Sequence, residues 1–360
     1  MISPIKILII DDSAVVRQAL TQIFSSDPQL KVIGTAQDPL FAITKIMKER
    51  PDVITLDIEM PKMDGLSFLK KIMSQHPIPT IIISSFAPKD SHLAITAYEL
   101  GAIDVLLKPD LSSQANIDAA HQKICDSVKA ASIAKMTRKV NLPEIPSTPK
   151  LKADVIIPKH APSFAEKNSG NYADKVIALG ASTGGTEAIR IFLEDLDENC
   201  PGIVIVQHMP ELFTRSFADR LNQLCRIHVK EAENGDIVAR GKAIIAPGNK
   251  HLILMKTADH YTVGVLDGPH VNRHKPSVDV LFRSVAQVAG KNAIGVLLTG
   301  MGSDGAEGLL ELMEAGAFTI AQDEKSSIVF GMPKEAIKLN AAKKILPLDK
   351  IAGFIVANFK

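Results

Sequence analysis

The chain is 360 residues long, more than one average domain, and its 46% hydrophobic and 22% charged residues exclude a wholly disordered or collagen-like polypeptide. With 41 Lys and Arg against 40 Asp and Glu there is no global positive field to hold nucleic acid or an anionic membrane. Cys125, Cys200 and Cys225 are too irregularly spaced for a disulfide framework or zinc knuckle, no apolar run approaches the roughly 18 residues of a membrane span, and no signal-peptide pattern opens the chain, so a cytoplasmic protein with reduced thiols is expected.

In chain order, short β-branched runs at Lys6–Ile10, Lys31–Thr35, Val53–Asp57, Thr80–Ser84 and Asp104–Leu107 alternate with amphipathic segments such as Ala14–Phe24 and Leu66–Gln75. That pattern predicts a doubly wound, flavodoxin-like α/β unit with a five-stranded parallel sheet, closed by a helix from about Gln114 to Lys135. From residue 137 to 173, Pro143, Pro146, Pro149, Pro158 and Pro162 are interspersed with lysines, a linker composition. A second series, Val176–Leu179, Ile203–Val206, Ala243–Ala246, His251–Met255 and Ala293–Leu298, predicts a second doubly wound, mostly parallel α/β domain. The expected division is therefore 1–136, a linker over 137–173, and 174–360.

Functional side chains in such sheets gather at the carboxyl ends of the strands. In the first domain Asp11 and Asp12 follow the first strand, Asp57 ends the third, Ser84 ends the fourth, and Lys108 precedes Pro109 after the fifth. Three carboxylates on one rim repel each other, and a hard cation with oxygen ligands, Mg²⁺ first, relieves the repulsion. A carboxylate beside it can accept a phosphoryl group, with the Lys108 ammonium and Ser84 hydroxyl on the oxygens. Singly, each residue has a plainer reading, for instance Asp12 or Ser13 as a helix cap.

Asp11-Asp12-Ser13, Asp57 with Met60-Pro61-Lys62-Met63-Asp64-Gly65, Ser84 and Lys108-Pro109 resemble a response-regulator receiver domain over about residues 4 to 125. The resemblance implies Asp57 as phosphoacceptor, with Asp11, Asp12, Asp57 and the Glu59 carbonyl around Mg²⁺. It also implies a cis bond before Pro109. Val105 departs from the pattern, standing where such switches often carry an aromatic residue.

In the second domain Gly180-Ala181-Ser182-Thr183-Gly184-Gly185-Thr186 follows the first strand and opens a helix. It lacks the Gly-Lys-Ser/Thr ending of a phosphate loop and satisfies G-x-S-x-G, a turn able to expose a serine hydroxyl, although a plain glycine turn has the same residues. A nucleophilic serine needs a base and an orienting acid. His208 follows the strand at 203–206 and Asp304 lies just beyond the strand at 293–298. The order Ser, His, Asp differs from that of α/β-hydrolases. His270 and His274 near Asp267 could suggest a metal site, but the run reads as a loop and defines no carboxylate partner. A lining of the substrate cleft by Arg273 and His274 is the better functional reading there, against an ordinary exposed loop.

Together with Gln207-His208-Met209-Pro210, the run Arg273 to Asp279, Thr299-Gly300-Met301-Gly302-Ser303-Asp304-Gly305 and Phe330-Gly331-Met332-Pro333, the serine turn resembles the CheB family of chemotaxis protein-glutamate methylesterases over about 174 to 350. That implies demethylation of glutamyl esters and deamidation of glutamines on chemoreceptors. Ser182 would be the nucleophile, His208 the general acid/base and Asp304 its orienter, with backbone N–H groups around Thr183 and Met301 as the oxyanion site. No cofactor is implied in the catalytic domain. A chemotaxis histidine kinase would donate the phosphoryl group, and a monomer without nucleic-acid partner or membrane insertion is expected.

Overall fold

The computed structural model describes residues 3–60, 64–86, 90–110, 114–134, 151–159, 175–257 and 260–359. The chain divides into two compact units, Met1–Pro143 and Glu144–Lys360. In the first, β1 (Ile5–Ile10), β2 (Leu30–Ala36), β3 (Val53–Leu56), β4 (Thr80–Ser84) and β5 (Asp104–Leu107) form a parallel sheet in the order β2-β1-β3-β4-β5. Residues of β1, β3 and β4 are buried nearly without interruption, as strands covered on both faces require. Ser13 caps the helix Ala14–Ser25 by accepting from the Val16 N–H, which leaves the Asp12 carboxylate uncommitted to that cap.

The second unit is built on seven parallel strands, β6 (Val176–Ala181), β7 (Gly202–Gln207), β8 (His228–Glu231), β10 (Lys242–Ile245), β13 (Ala293–Leu297), β14 (Phe318–Gln322) and β15 (Lys344–Leu346). Their order is β15-β14-β13-β6-β7-β10-β8. Every residue of β6 and β7 is buried, and each Val, Ile or Leu removed from water there contributes about 1.5–3 kcal/mol. The chain winds from β6 toward β7 on one side and later from β13 toward β15 on the other. The crevice where that direction reverses lies at the carboxyl ends of β6 and β13, the place such folds use for ligands.

His251–Met255, expected within the parallel series, belongs instead to a separate antiparallel sheet. There β11 (His251–Lys256) pairs with β12 (Tyr261–Leu266), which pairs with β9 (Ile237–Val238). An apolar run records burial but not the direction of its partner, so the sequence pattern alone does not separate the two cases.

Within the stretch of linker composition, residues 151–159 are seated on the second unit. Ala153 is buried against Val271 and Val280, and Ile156 and Ile157 pack around them. Among the described residues the cis peptide is Lys275–Pro276, so the cis bond implied at Lys108–Pro109 is not present. The trans linkage still delivers the Lys108 ammonium to the acidic rim, as described below. No described helix is long and apolar enough to cross a membrane.

Candidate active site

The first unit brings its predicted residues together. Ligand atoms of Asp11, Asp12 and Asp57 lie within 4.8 Å of one another. Asp57 is buried, and its Oδ1 accepts from the Ser84 hydroxyl at 2.5 Å and from the Glu59 N–H at 3.4 Å. Lys108 Nζ stands 2.6 Å from Asp57 Oδ2 and 2.8 Å from Asp11 Oδ2. Burial pushes the Asp11 carboxyl above the ordinary aspartate range against the pull of Lys108. Burial works to lower the Lys108 pKa as well, but the bonds to Asp11 and Asp57 hold it above the usual lysine value. Val105 is fully buried, and its N–H donates to the Tyr98 hydroxyl at 3.2 Å, which puts an aromatic side chain beside β5 from the neighbouring helix.

In the second unit the strand register sets the site. Ala181 at the end of β6 pairs with Gln207 at the end of β7, so Ser182 and His208 leave adjoining strands at the same level of the sheet. His208 N–H donates to the Ala181 carbonyl at 3.1 Å, and Gln207 Nε2 donates to the carbonyls of Ser182 at 2.9 Å and His208 at 3.2 Å. Gly184 then turns the chain at φ 77°, a left-handed conformation that glycine adopts without penalty, into the helix Gly185–Glu194. Ser182 remains half-buried, open to a substrate. On the other flank Gly300 follows β13 so closely that a Cβ there would stand 2.7 Å from the Ser182 Cβ.

His208 Nε2 meets Asp304 Oδ2 at 2.8 Å. The other ring nitrogen, Nδ1, is buried without a hydrogen-bond partner among the described residues. Asp304 does not cap the helix that follows it, whose N-cap is Gly305. Its carboxylate sits at the N-terminus of the helix Val278–Val288. Oδ2 accepts from the Val278 N–H at 2.7 Å, and Oδ1 from the Ser277 hydroxyl at 2.8 Å, Asn272 Nδ2 at 3.1 Å and the Asp279 N–H at 3.2 Å. Burial alone would raise the Asp304 pKa, but the His208 hydrogen bond and these donors hold it well below the carboxylate range. Asp279, buried beside that charge, is pushed well above the range by burial first and by Asp304 second.

His274 stacks on His208 with ring centroids 3.7 Å apart and planes 8° from parallel, so it reaches the site as a neighbour of the imidazole. Arg273 stands half-buried in the same turn. Asp267 is paired with Lys250 at 2.9 Å and Lys275 at 3.0 Å. Thr183 is buried and its carbonyl accepts from the Thr299 hydroxyl at 3.0 Å, while Met301 directly follows Gly300 at the serine.

Three residues of this network escape a reading by strand ends: Asn272, Ser277 and His251. His251 is fully buried, with Nε2 on the Pro269 carbonyl at 2.9 Å and Nδ1 toward the Ser277 N–H at 3.3 Å, and burial pushes its pKa down. It thereby fixes Ser277 beneath Asp304. Ser277 as the residue before a helix was the available signal.

A parallel receiver-like sheet with an acidic rim, joined to an α/β unit with serine, histidine and aspartate at its switch point, defines a two-domain response regulator with an enzyme-like second unit. Residues 7–119 match the response regulator receiver domain and residues 177–355 match CheB methylesterase. A protein-glutamate methylesterase/protein-glutamine glutaminase of Geobacter metallireducens is 53% identical over 97% of this chain and 97% of its own length. One of Oleidesulfovibrio alaskensis is 51% identical over 98% of each. The crystal structure of the Thermotoga maritima CheB methylesterase catalytic domain superposes with a TM-score of 0.50 at 36% identity, covering 51% of this chain and 98% of that one. The chain belongs to the CheB methylesterase family.

Proposed function

We propose that this protein is a phosphorylation-controlled serine hydrolase that demethylates γ-glutamyl methyl esters, and deamidates glutamines, on chemoreceptors in chemotactic adaptation. The observation that carries the reading is His208. It stands beside Ser182 on adjoining strand ends, with Nε2 on a buried carboxylate and Nδ1 free to take a proton. In this assignment Nε2–H stays on Asp304 and Nδ1 is the basic nitrogen.

Ser182 Oγ attacks the ester carbonyl while Nδ1 removes its proton. The oxyanion is met by the backbone N–H groups of Thr183 and Met301. Collapse expels methoxide, which takes the proton from Nδ1 and leaves as methanol. Water, deprotonated at the same nitrogen, then releases the glutamate from the serine ester. With a glutamine side chain the leaving group is ammonia. The named activities of the relatives support both reactions, and Arg273 and His274 line the approach to the imidazole.

In the first unit Asp57 is the phosphoacceptor, with a histidine kinase as donor. The donor set suits a hard divalent cation: three carboxylates converge, and the Lys108 ammonium is shared between two of them. Asp11, Asp12, Asp57 and the Glu59 carbonyl would hold Mg²⁺, which when bound supplies neutralisation of phosphoryl oxygens. Lys108 and Ser84, already on Asp57, are placed to follow the phosphoryl group.

Methanol release from membranes carrying methyl-labelled receptors tests the reading. Release should be abolished by Ser182→Ala, and should rise with a small phosphodonor and Mg²⁺ in the wild type but not in Asp57→Asn. Undiminished release by Ser182→Ala refutes the hydrolase assignment, and stimulation that survives Asp57→Asn refutes the phosphoacceptor.

A further inference from the structure

Resting on that triad, we propose that Asn272 is a positioning residue for Asp304, held in place by the 151–159 segment. Val271 and His274 exchange backbone hydrogen bonds of 3.0 and 2.8 Å, and the two residues between them, Asn272 and Arg273, have φ of 50° and 70°. Positive φ at both central positions is the requirement of a type I′ turn, where asparagine is favoured. The turn is therefore tight, and it aims two side chains at the triad from one rigid piece. His274 lies flat on the base, and Asn272 reaches the acid.

The Asn272 amide solves a specific problem. Asp279 and Asp304 are both buried and adjacent, with the Asp279 N–H itself on Asp304 Oδ1. Nδ2 offers one hydrogen to Asp304 Oδ1 and the other to Asp279 Oδ2, so a neutral donor bridges the two carboxyl groups. Gly308 N–H fixes the far oxygen of Asp279 at 2.7 Å.

The turn is anchored from outside by the Asn272 N–H, which donates to the Leu151 carbonyl at 2.8 Å. Leu151 opens a segment fastened along its length. Ala153 is buried on Val271 and Val280, Asp154 pairs with Arg283 at 2.6 Å, Arg283 also donates to the Ile157 carbonyl at 3.0 Å, and Gln287 donates to the Pro158 carbonyl at 3.0 Å. A stretch with the composition of a tether thus buttresses the acid of the triad.

The test uses the full chain and methanol release. Asn272→Gly keeps the backbone freedom and removes the amide, and should lower kcat about tenfold with KM unchanged. Asn272→Asp should also be slow, but its rate relative to wild type should recover as pH falls, because only the protonated carboxyl can donate. It would face Asp279 and Asp304, with Glu307 beyond them, against His208, His274 and Lys152. Ala153→Asp, which dislodges the segment, should reproduce the kcat loss and add nothing to Asn272→Gly. If that variant does not fold, Asp154→Ala should give a milder loss of the same kind. Wild-type kcat in Asn272→Gly, a loss in Asn272→Asp that does not change with pH, or additive losses in the double variant overturn the proposal. Ser182→Ala separates the cases: activity there refutes the triad itself, whereas an inactive Ser182→Ala beside an unimpaired Asn272→Gly refutes the positioning role alone.

Discussion

Both units place a buried aspartate at the carboxyl edge of a parallel sheet, and the two are surrounded in opposite ways. Asp57 shares its rim with two further carboxylates and is met by the Ser84 hydroxyl, one long backbone contact and the Lys108 ammonium. Asp304 accepts from His208, Ser277, Asn272 and two N–H groups at a helix N-terminus. The first site sets three carboxylates against the one ammonium of Lys108, which leaves it room for the cation and phosphoryl group proposed there. The second neutralises its carboxylate from within, an arrangement that suits the orienting, unreactive part proposed for it.

That contrast can be broken most severely at Asp304. Asp304→Asn keeps the shape but turns an amide N–H toward His208 Nε2 or reverses the tautomer, and kcat for methanol release should fall about 10⁴-fold. A residual rate near wild type would mean that His208 needs no fixed orienter.

Ser277→Ala removes one donor from the buried carboxylate and should cost about 1–3 kcal/mol of stability at neutral pH, read from urea unfolding. The sign with pH follows from the depressed pKa of Asp304. Stability drawn from such a group is present above the ordinary aspartate value and lost as pH falls through the folded one. The difference between variant and wild type should therefore be full at pH 7 and shrink in strong acid. A difference that grows on acidification would contradict the ionised assignment.

The smallest effect sharpens the other half of the comparison. Mg²⁺ at ten times its dissociation constant should stabilise the first unit by about 1.4 kcal/mol and leave the unfolding of the second unchanged. Asp12→Ala should abolish the shift, because Asp12 is the exposed member of the acidic group.

Strand-end reasoning picked out Ser182 and His208 because each directly follows a buried strand, and Asp304 because it lies in the loop that follows another; the structure brings His208 and Asp304 into contact. The same reasoning picked out Asp57 and Ser84. Asn272 and His251 were not legible, since a turn and a separate sheet carry them and periodicity connects neither to Asp304; Ser277 stood before a helix, but nothing in the pattern joined it to Asp304. Positive φ at Asn272 and Arg273 leaves no mark in a hydrophobic pattern. The 151–159 segment was hidden for a different reason: the prolines and lysines spread over 137–173 set the composition of the whole stretch, while inside it Ala153, Ile156 and Ile157 pack on the second unit. At Pro109 the resemblance carried a cis bond that this chain does not have, and Lys108 reaches both carboxylates regardless.

The central claim is that Ser182 is made nucleophilic by His208 Nδ1. Reacting the full chain with a serine-directed fluorophosphonate and mapping the adduct by mass spectrometry tests it most directly. The account predicts a single adduct on Ser182 that is lost in His208→Ala, whereas modification at another residue, or undiminished labelling without the imidazole, would contradict it.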